Sequence, residues 1–287
     1  MSSEQVAGLP RPELSPAKRA LAEAMLRGRS AVSAIPRRTP GGDAPLSFAQ
    51  ERLWFLDRME PESATYNIPA ALRLAGTLDE AALERALGEA VRRHEALRTV
   101  FREVDGVPVQ VIAPFAGFAL PVEDLSGLGD AERQAAALRR STQEALHEFD
   151  LTAGPLFRAV LLLLGAEERL LLLCMPHIVS DGWSVYLLLD ELWAVYGAYR
   201  NGRESPLPEL PLQYADFAVW QREQWRGETE AKQLAYWKDR LAGAAELLEL
   251  PTDHPRPPVP SFRGGRVPVA VSAAVAGRLR DLARAEG

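Results

Sequence analysis

Apolar residues recur every three or four positions in some stretches of the chain and run together in others, and the two patterns mark different elements. Leu83, Leu87 and Val91 stand four apart behind Thr77-Leu78-Asp79-Glu80, a capping-box pattern, which predicts an amphipathic helix. Helical spacing also covers Ser47 to Met59, Asp130 (as a cap) to about His147, Gln213 to Trp225 and Glu228 to Leu241. Trp183 to Tyr199 predicts a strongly apolar helix ending near Asn201-Gly202. Arg158 to Leu164 and Arg169 to Met175 are continuous apolar runs around Gly165 to Glu168, which predicts two buried strands. Thr99 to Phe101 and Val107 to Ile112 flank Asp105-Gly106 and predict a strand pair with a tight turn. Ser15-Pro16 opens a capped helix to Arg29, Ser30 to Pro45 reads as a linker, and Pro251 to Pro260 as a proline-rich connector. Arg266 to Val271 predicts a strand, Ser272 a cap and Ala273 to Ala285 a final helix.

Helices mixed with paired strands place the fold in the α/β or α+β class. The 287 residues carry 33 Lys plus Arg against 39 Asp plus Glu, a formal charge of −6, and the basic residues are interleaved with acids. A protein that tracks phosphates needs a clustered cationic face, so nucleic-acid binding is not expected. The most apolar segment, Ala159 to Met175, is interrupted by Gly165-Ala166-Glu167-Glu168-Arg169 and is too short and too charged to span a bilayer. Met1 to Pro12 lacks the pattern of a signal peptide, and the single Cys174 suits a reducing compartment, so a cytoplasmic location is expected.

Several chemistries lack their patterns. Gly41-Gly42 and Gly264-Gly265 have no following Lys-Ser/Thr to cradle a phosphate, His94, His147, His177 and His254 are scattered, and no Gly-x-Ser-x-Gly elbow exists. His177 follows a long apolar run, so its imidazole should emerge where the strand leaves the core. At this level a histidine in such a place is more often a hydrogen-bonded structural residue than a neutral general base for an amine or hydroxyl, and both readings stay open. Asp181-Gly182 has its own plain reading, a turn carboxylate ahead of a glycine, which explains Asp-Gly pairs in most proteins.

Four segments change that balance together. They are Ser47-Phe48-Ala49-Gln50-Glu51-Arg52-Leu53-Trp54-Phe55-Leu56, Arg93-His94-Glu95-Ala96-Leu97-Arg98-Thr99-Val100-Phe101, Met175-Pro176-His177-Ile178-Val179-Ser180-Asp181-Gly182-Trp183-Ser184 and Tyr214-Ala215-Asp216-Phe217-Ala218-Val219-Trp220. In order and spacing they resemble the motifs of the condensation domains of nonribosomal peptide synthetases, which share the chloramphenicol acetyltransferase-like fold. The third resembles that family's active-site motif, His-His-x-x-x-Asp-Gly. Leu14 to Arg29 and Leu250-Pro251-Thr252-Asp253 extend the likeness over nearly the whole chain.

The resemblance implies a lobe of mixed sheet and flanking helices over residues 46–250. Residues 1–45 become a leading helix and linker, readable equally as a docking segment or a frayed extension, and 251–287 a connector and the start of a second lobe that is largely missing. It implies that an aminoacyl group on one carrier attacks an acyl or peptidyl thioester on another. His177 would be the catalytic residue, either removing a proton from the amine or positioning it. Asp181 would be structural, pointing away from the tunnel and paired with Arg93 and Arg98, while Gly182 would let the backbone approach closely. No cofactor or metal would be bound, since 4'-phosphopantetheine arrives covalently on the carrier domains. The partners implied are those carriers, an adenylation domain and the remaining lobe of the same synthetase.

Pro176 departs from the motif, standing where the family has its first histidine. Proline fixes φ and removes a donor, so a displaced His177 ring or an unpaired acceptor is expected at this strand end. A lone lobe should also present an apolar inner face to water, leaving the chain inactive or aggregation-prone unless completed. The alternatives are a non-catalytic remnant that docks a carrier or module, or an ester-forming acyltransferase of the same fold.

Overall fold

In a computed structural model, residues 35–286 are described apart from 40, 62, 246, 256, 259–264 and 266, so the helix expected over 15–29 lies outside the described residues. Residues 35–249 form one compact unit, and those from 250 onward belong to a second.

At the centre of the first unit is the hairpin β6 (Arg158–Gly165) and β7 (Glu168–Pro176). Its leucines are buried on both faces, which is why the sequence reads as an unbroken apolar run. Leu161, Leu171, Leu173 and Met175 face a large cluster containing Leu83 and Leu87, together with Leu188 and Leu192. Val160, Leu162, Leu164 and Leu172 face a smaller cluster around Ala137 on the opposite side. The first cluster is supplied by helices α2 (Glu80–Arg93) and α4 (Gly182–Arg200), the second by α3 (Asp130–Ala145).

The sheet is completed by β2 (Asn67–Ala75) and β5 (Val122–Asp124), in the order β2-β7-β6-β5; β5 runs parallel to β6 and the other neighbours are antiparallel. Neither added strand is evident in the apolar pattern. β2 contains Pro69, which an edge strand tolerates because a missing N–H on its outer side breaks no ladder bond. A second sheet, β1-β4-β3, joins β1 (Ala44–Pro45), β4 (Val107–Ile112) and β3 (Thr99–Val104). Asp105 and Gly106 link the last two with φ of 51° and 77°, the left-handed pair that a two-residue hairpin requires.

Helix α1 (Phe48–Met59) begins at a complete capping box: Ser47 accepts from the Gln50 backbone, and the Gln50 side chain accepts from the Ser47 backbone. Helices α5 (Tyr214–Gln224), α6 (Glu228–Arg240) and α7 (Ala273–Ala285, capped by Ser272) match their expected positions closely. Three local expectations are corrected. Helix α2 is capped by Asp79, whose side chain accepts from the Ala82 N–H at 2.9 Å, and Thr77 instead accepts from Arg200. Gly129, not Asp130, caps α3, and Asp130 pairs with Arg133 inside the first turn. Described residues 267–271 form no strand; Val267 and Val269 are each 85% exposed, so neither finds the burial that stabilises a strand.

Candidate active site

The last residues of β7 set the position of His177. The His177 N–H donates to the Tyr66 carbonyl at 2.8 Å, extending the β2–β7 ladder one residue past Asn67–Pro176. Hydrogen-bonded and non-bonded pairs alternate in an antiparallel ladder, so Pro176 opposite Asn67 is a non-bonded pair toward β2. Its nitrogen therefore faces β6, whose pairing begins only at Arg158–Cys174 and does not extend to Pro176. The missing donor falls where no rung exists, so the ladder loses no bond at Pro176 and His177 keeps its bond to Tyr66.

A turn follows, with the Val179 N–H on the Pro176 carbonyl at 3.1 Å. Ile178 and Val179 drop into the core at 4% and 9% exposure, and His177 is turned outward and exposed. The Ile178 carbonyl accepts from Gln50 Nε2 at 3.3 Å, and the same nitrogen donates to Gln110 Oε1 at 3.1 Å. Gln50 thus caps α1 and anchors the histidine turn together. Ser47 Oγ in turn shares a 2.9 Å hydrogen bond with the Tyr214 hydroxyl at the start of α5. Three of the four segments singled out in the sequence, the first, third and fourth, meet at this point. They border a cleft of about 230 Å³ whose polar lining includes Arg52, Tyr66, His177, Ser180, Asp181 and Ser184.

Asp181 is the N-cap of α4. Its Oδ1 accepts from both the Ser184 N–H and the Ser184 hydroxyl at 2.7 Å. The Ser184 hydroxyl bond, then the backbone bond, holds its carboxyl below the usual carboxylate range, and charge from nearby His177 acts in the same direction. Asp181 therefore does not pair with Arg93 or Arg98, contrary to expectation. Buried Arg93 donates from Nε to Glu191 at 3.0 Å and from Nη1 to the Pro208 carbonyl, and His94 Nε2 lies 2.7 Å from the same glutamate. Glu191 is ten residues further along α4 than Asp181, about 15 Å at 1.5 Å per residue, which removes the arginine from reach.

Arg98 bonds to the Ala113 carbonyl, with Glu95 at 3.7 Å. It lines a larger apolar cavity of about 450 Å³ with Val91, Leu97, Phe115, Phe118 and Phe157. That cavity shares no residue with the His177 cleft, which is the smaller space and has the exposed imidazole on its lining. The close approach expected at Gly182 is likewise absent: no described atom beyond its chain neighbours and its own helix backbone stands within 4 Å of where its Cβ would be, and Gly182 is exposed. Gln50 and Tyr214 were legible as members of their motifs, and the Ser47-x-x-Gln50 spacing identifies the cap. Nothing in the local sequence points to Tyr66, whose carbonyl meets His177 only through strand pairing.

A family profile described as "Condensation domain" matches residues 41–287. A linear gramicidin synthase protein of Brevibacillus parabrevis is 48% identical over 256 residues, which are 89% of this chain and 5% of that protein. The phosphinothricin tripeptide synthetase PhsC of Streptomyces viridochromogenes is 45% identical over 278 residues, 96% of this chain and 26% of that protein. Among solved structures, the teicoplanin-biosynthesis X-domain in complex with OxyB matches with a TM-score of 0.74 and 33% identity, over 88% of this chain and 55% of that one. The first condensation domain of the calcium-dependent antibiotic synthetase, in complex with a substrate analogue, matches with a TM-score of 0.64 and 27% identity, over 72% and 49%. The chain thus spans a small part of the curated relatives and about half of the solved ones.

Proposed function

Because the chain belongs to the condensation-domain family, we propose that it serves peptide-bond formation between two carrier-tethered substrates, with His177 as the group that handles the amine proton. The observation that carries this reading is the exposed His177 imidazole, fixed by the Tyr66 ladder bond on a cleft built from three motif segments. An acyl or peptidyl thioester is already activated, and holding it beside an aminoacyl group converts a bimolecular reaction into a local one. Orientation of this kind supplies up to about 7–11 kcal/mol in favourable cases. The imidazole takes the proton that the amine must lose, or holds the amine in line with the carbonyl. Arg93, Arg98, Asp181 and Gly182 act indirectly: the arginines brace α2 and its following turn, and Asp181 caps the helix that starts beside His177.

The partners that fit are carrier domains delivering both substrates on phosphopantetheine, with an adenylation domain to load them and further sequence of the same synthetase to complete the site. A buried cysteine thiol in β7 suits a reducing compartment such as the cytoplasm. No helix among the described residues is long and apolar enough to cross a membrane.

A second reading is favoured by Pro176 and by the likeness to a domain solved in complex with another protein, OxyB: a domain that docks a partner without turnover. The two separate in one experiment. The natural protein carrying this chain is mixed with donor-loaded and acceptor-loaded carriers, and product is read by mass spectrometry of the acceptor. Peptide on the acceptor carrier is expected. Carrier binding without peptide, with turnover appearing in Pro176→His, would replace the catalytic reading with the docking one.

A further inference from the structure

The His177 cleft holds a cation that no other group in the described residues engages. Arg52 lines it from α1, is exposed, and makes no hydrogen bond, ion pair or ring contact among the described residues. Its helix neighbours are committed: Glu51 pairs with Arg222 at 2.7 Å, and the Arg58 guanidinium lies over the Trp54 ring at 5.6 Å. Other polar groups of the cleft are also occupied. Gln50 is bound to Ser47, Gln110 and the Ile178 carbonyl, the Tyr214 hydroxyl to Ser47, and the Ser184 hydroxyl to Asp181. Asp181 adds a carboxylate to the same space.

We infer that Arg52 is a further catalytic residue, holding the negative charge that forms on the thioester carbonyl oxygen during transfer; this rests on the peptide-bond-forming reading above. When the amine nitrogen bonds to the thioester carbon, the carbonyl π pair moves onto oxygen. His177 takes the amine proton, the oxygen pair then re-forms the C=O bond as the C–S bond breaks, and the departing thiolate recovers the proton from His177. Between those events a full negative charge stands in a cleft that already contains Asp181. A cation that meets that oxygen lowers the barrier because it interacts more strongly with the oxyanion than with the neutral carbonyl. The carrier arm's phosphate lies at the far end of the pantetheine chain from the sulfur. A cation sharing this small space with His177 therefore meets the reacting thioester rather than the phosphate.

The test uses the natural protein with loaded carriers and single-turnover kinetics. Arg52→Gln is expected to slow transfer about 10- to 100-fold, a discount on the loss seen for enclosed oxyanion donors because Arg52 is exposed. The concentrations of donor and acceptor carrier at half-saturation should change by less than about twofold. Arg52→Lys, which keeps the charge, should recover most of the loss, and neither variant should change the melting temperature measurably. Arg52→Gln at the unmodified rate, a defect confined to half-saturation, or Arg52→Lys as slow as Arg52→Gln would each overturn the role of Arg52 while leaving that of His177 standing. No product from the unmodified protein would overturn both.

Discussion

At the scale of single residues, Asp181 separates what a motif conveys from what geometry decides. Its place in the motif predicts a structural role, and the geometry shows a helix cap made with Ser184, while Arg93 and Arg98, the expected partners, bond to Glu191 and the Ala113 carbonyl instead. An exposed cap and a buried ion pair differ in energy. Asp181→Ala should cost about 1 kcal/mol in urea denaturation, the usual worth of an N-cap, whereas breaking a buried pair would cost about 3–5 kcal/mol. Because the Ser184 bonds lower its carboxyl pKa, the cap is at full strength above the ordinary carboxylate range and is lost as pH falls below it through the lowered folded value. His177 was legible as the residue emerging from an apolar strand. Gln50, which fixes the turn behind it, joins residues 60 and 128 positions away, and no local pattern reports such contacts.

Among elements, the β6–β7 hairpin was the most legible because burial on both faces leaves a continuous leucine run. β2 was hidden by Pro69 and by its position at the sheet edge, and three-residue β5 is too short to show a period. The hairpin is joined to α3 by a charge cluster that the sequence does not reveal. Glu144 on α3 is 5% exposed and accepts from Arg140 at 2.6 Å and from Arg158 on β6 at 2.9 and 3.0 Å. Burial alone would raise its pKa, but the hydrogen bonds from Arg158 and Arg140 outweigh burial and hold it below the usual value. A lowered folded pKa contributes stability above the unfolded value and loses it as pH falls through the folded one. Glu144→Gln should therefore cost on the order of 2 kcal/mol at pH 7 and flatten the loss of stability on acidification below about pH 5. An unchanged acid slope in denaturant titrations would show that another carboxylate sets it.

For the molecule as a whole, the order of the four motif segments was legible and their assembly was not. Strand pairing brings Tyr66 to His177, and the capping box of α1 brings the first motif to the third. Large apolar side chains stand exposed on two helices. Trp183 and Tyr186 at the start of α4 are 76% and 74% exposed, and Leu234, Tyr236 and Trp237 of α6 are exposed to at least half. These side chains set the scale at which partner domains would have to meet the chain, since the solved relatives extend over about twice its matched length. The most direct measurement is the single-turnover rate of peptide transfer by the natural protein against its His177→Ala variant, with donor and acceptor carriers loaded. Loss of a positioned acid–base group predicts a fall of about 10²- to 10⁴-fold with folding intact, because His177 is exposed and packs into no core cluster. Transfer at the unmodified rate would contradict the assignment of the chemistry to this cleft.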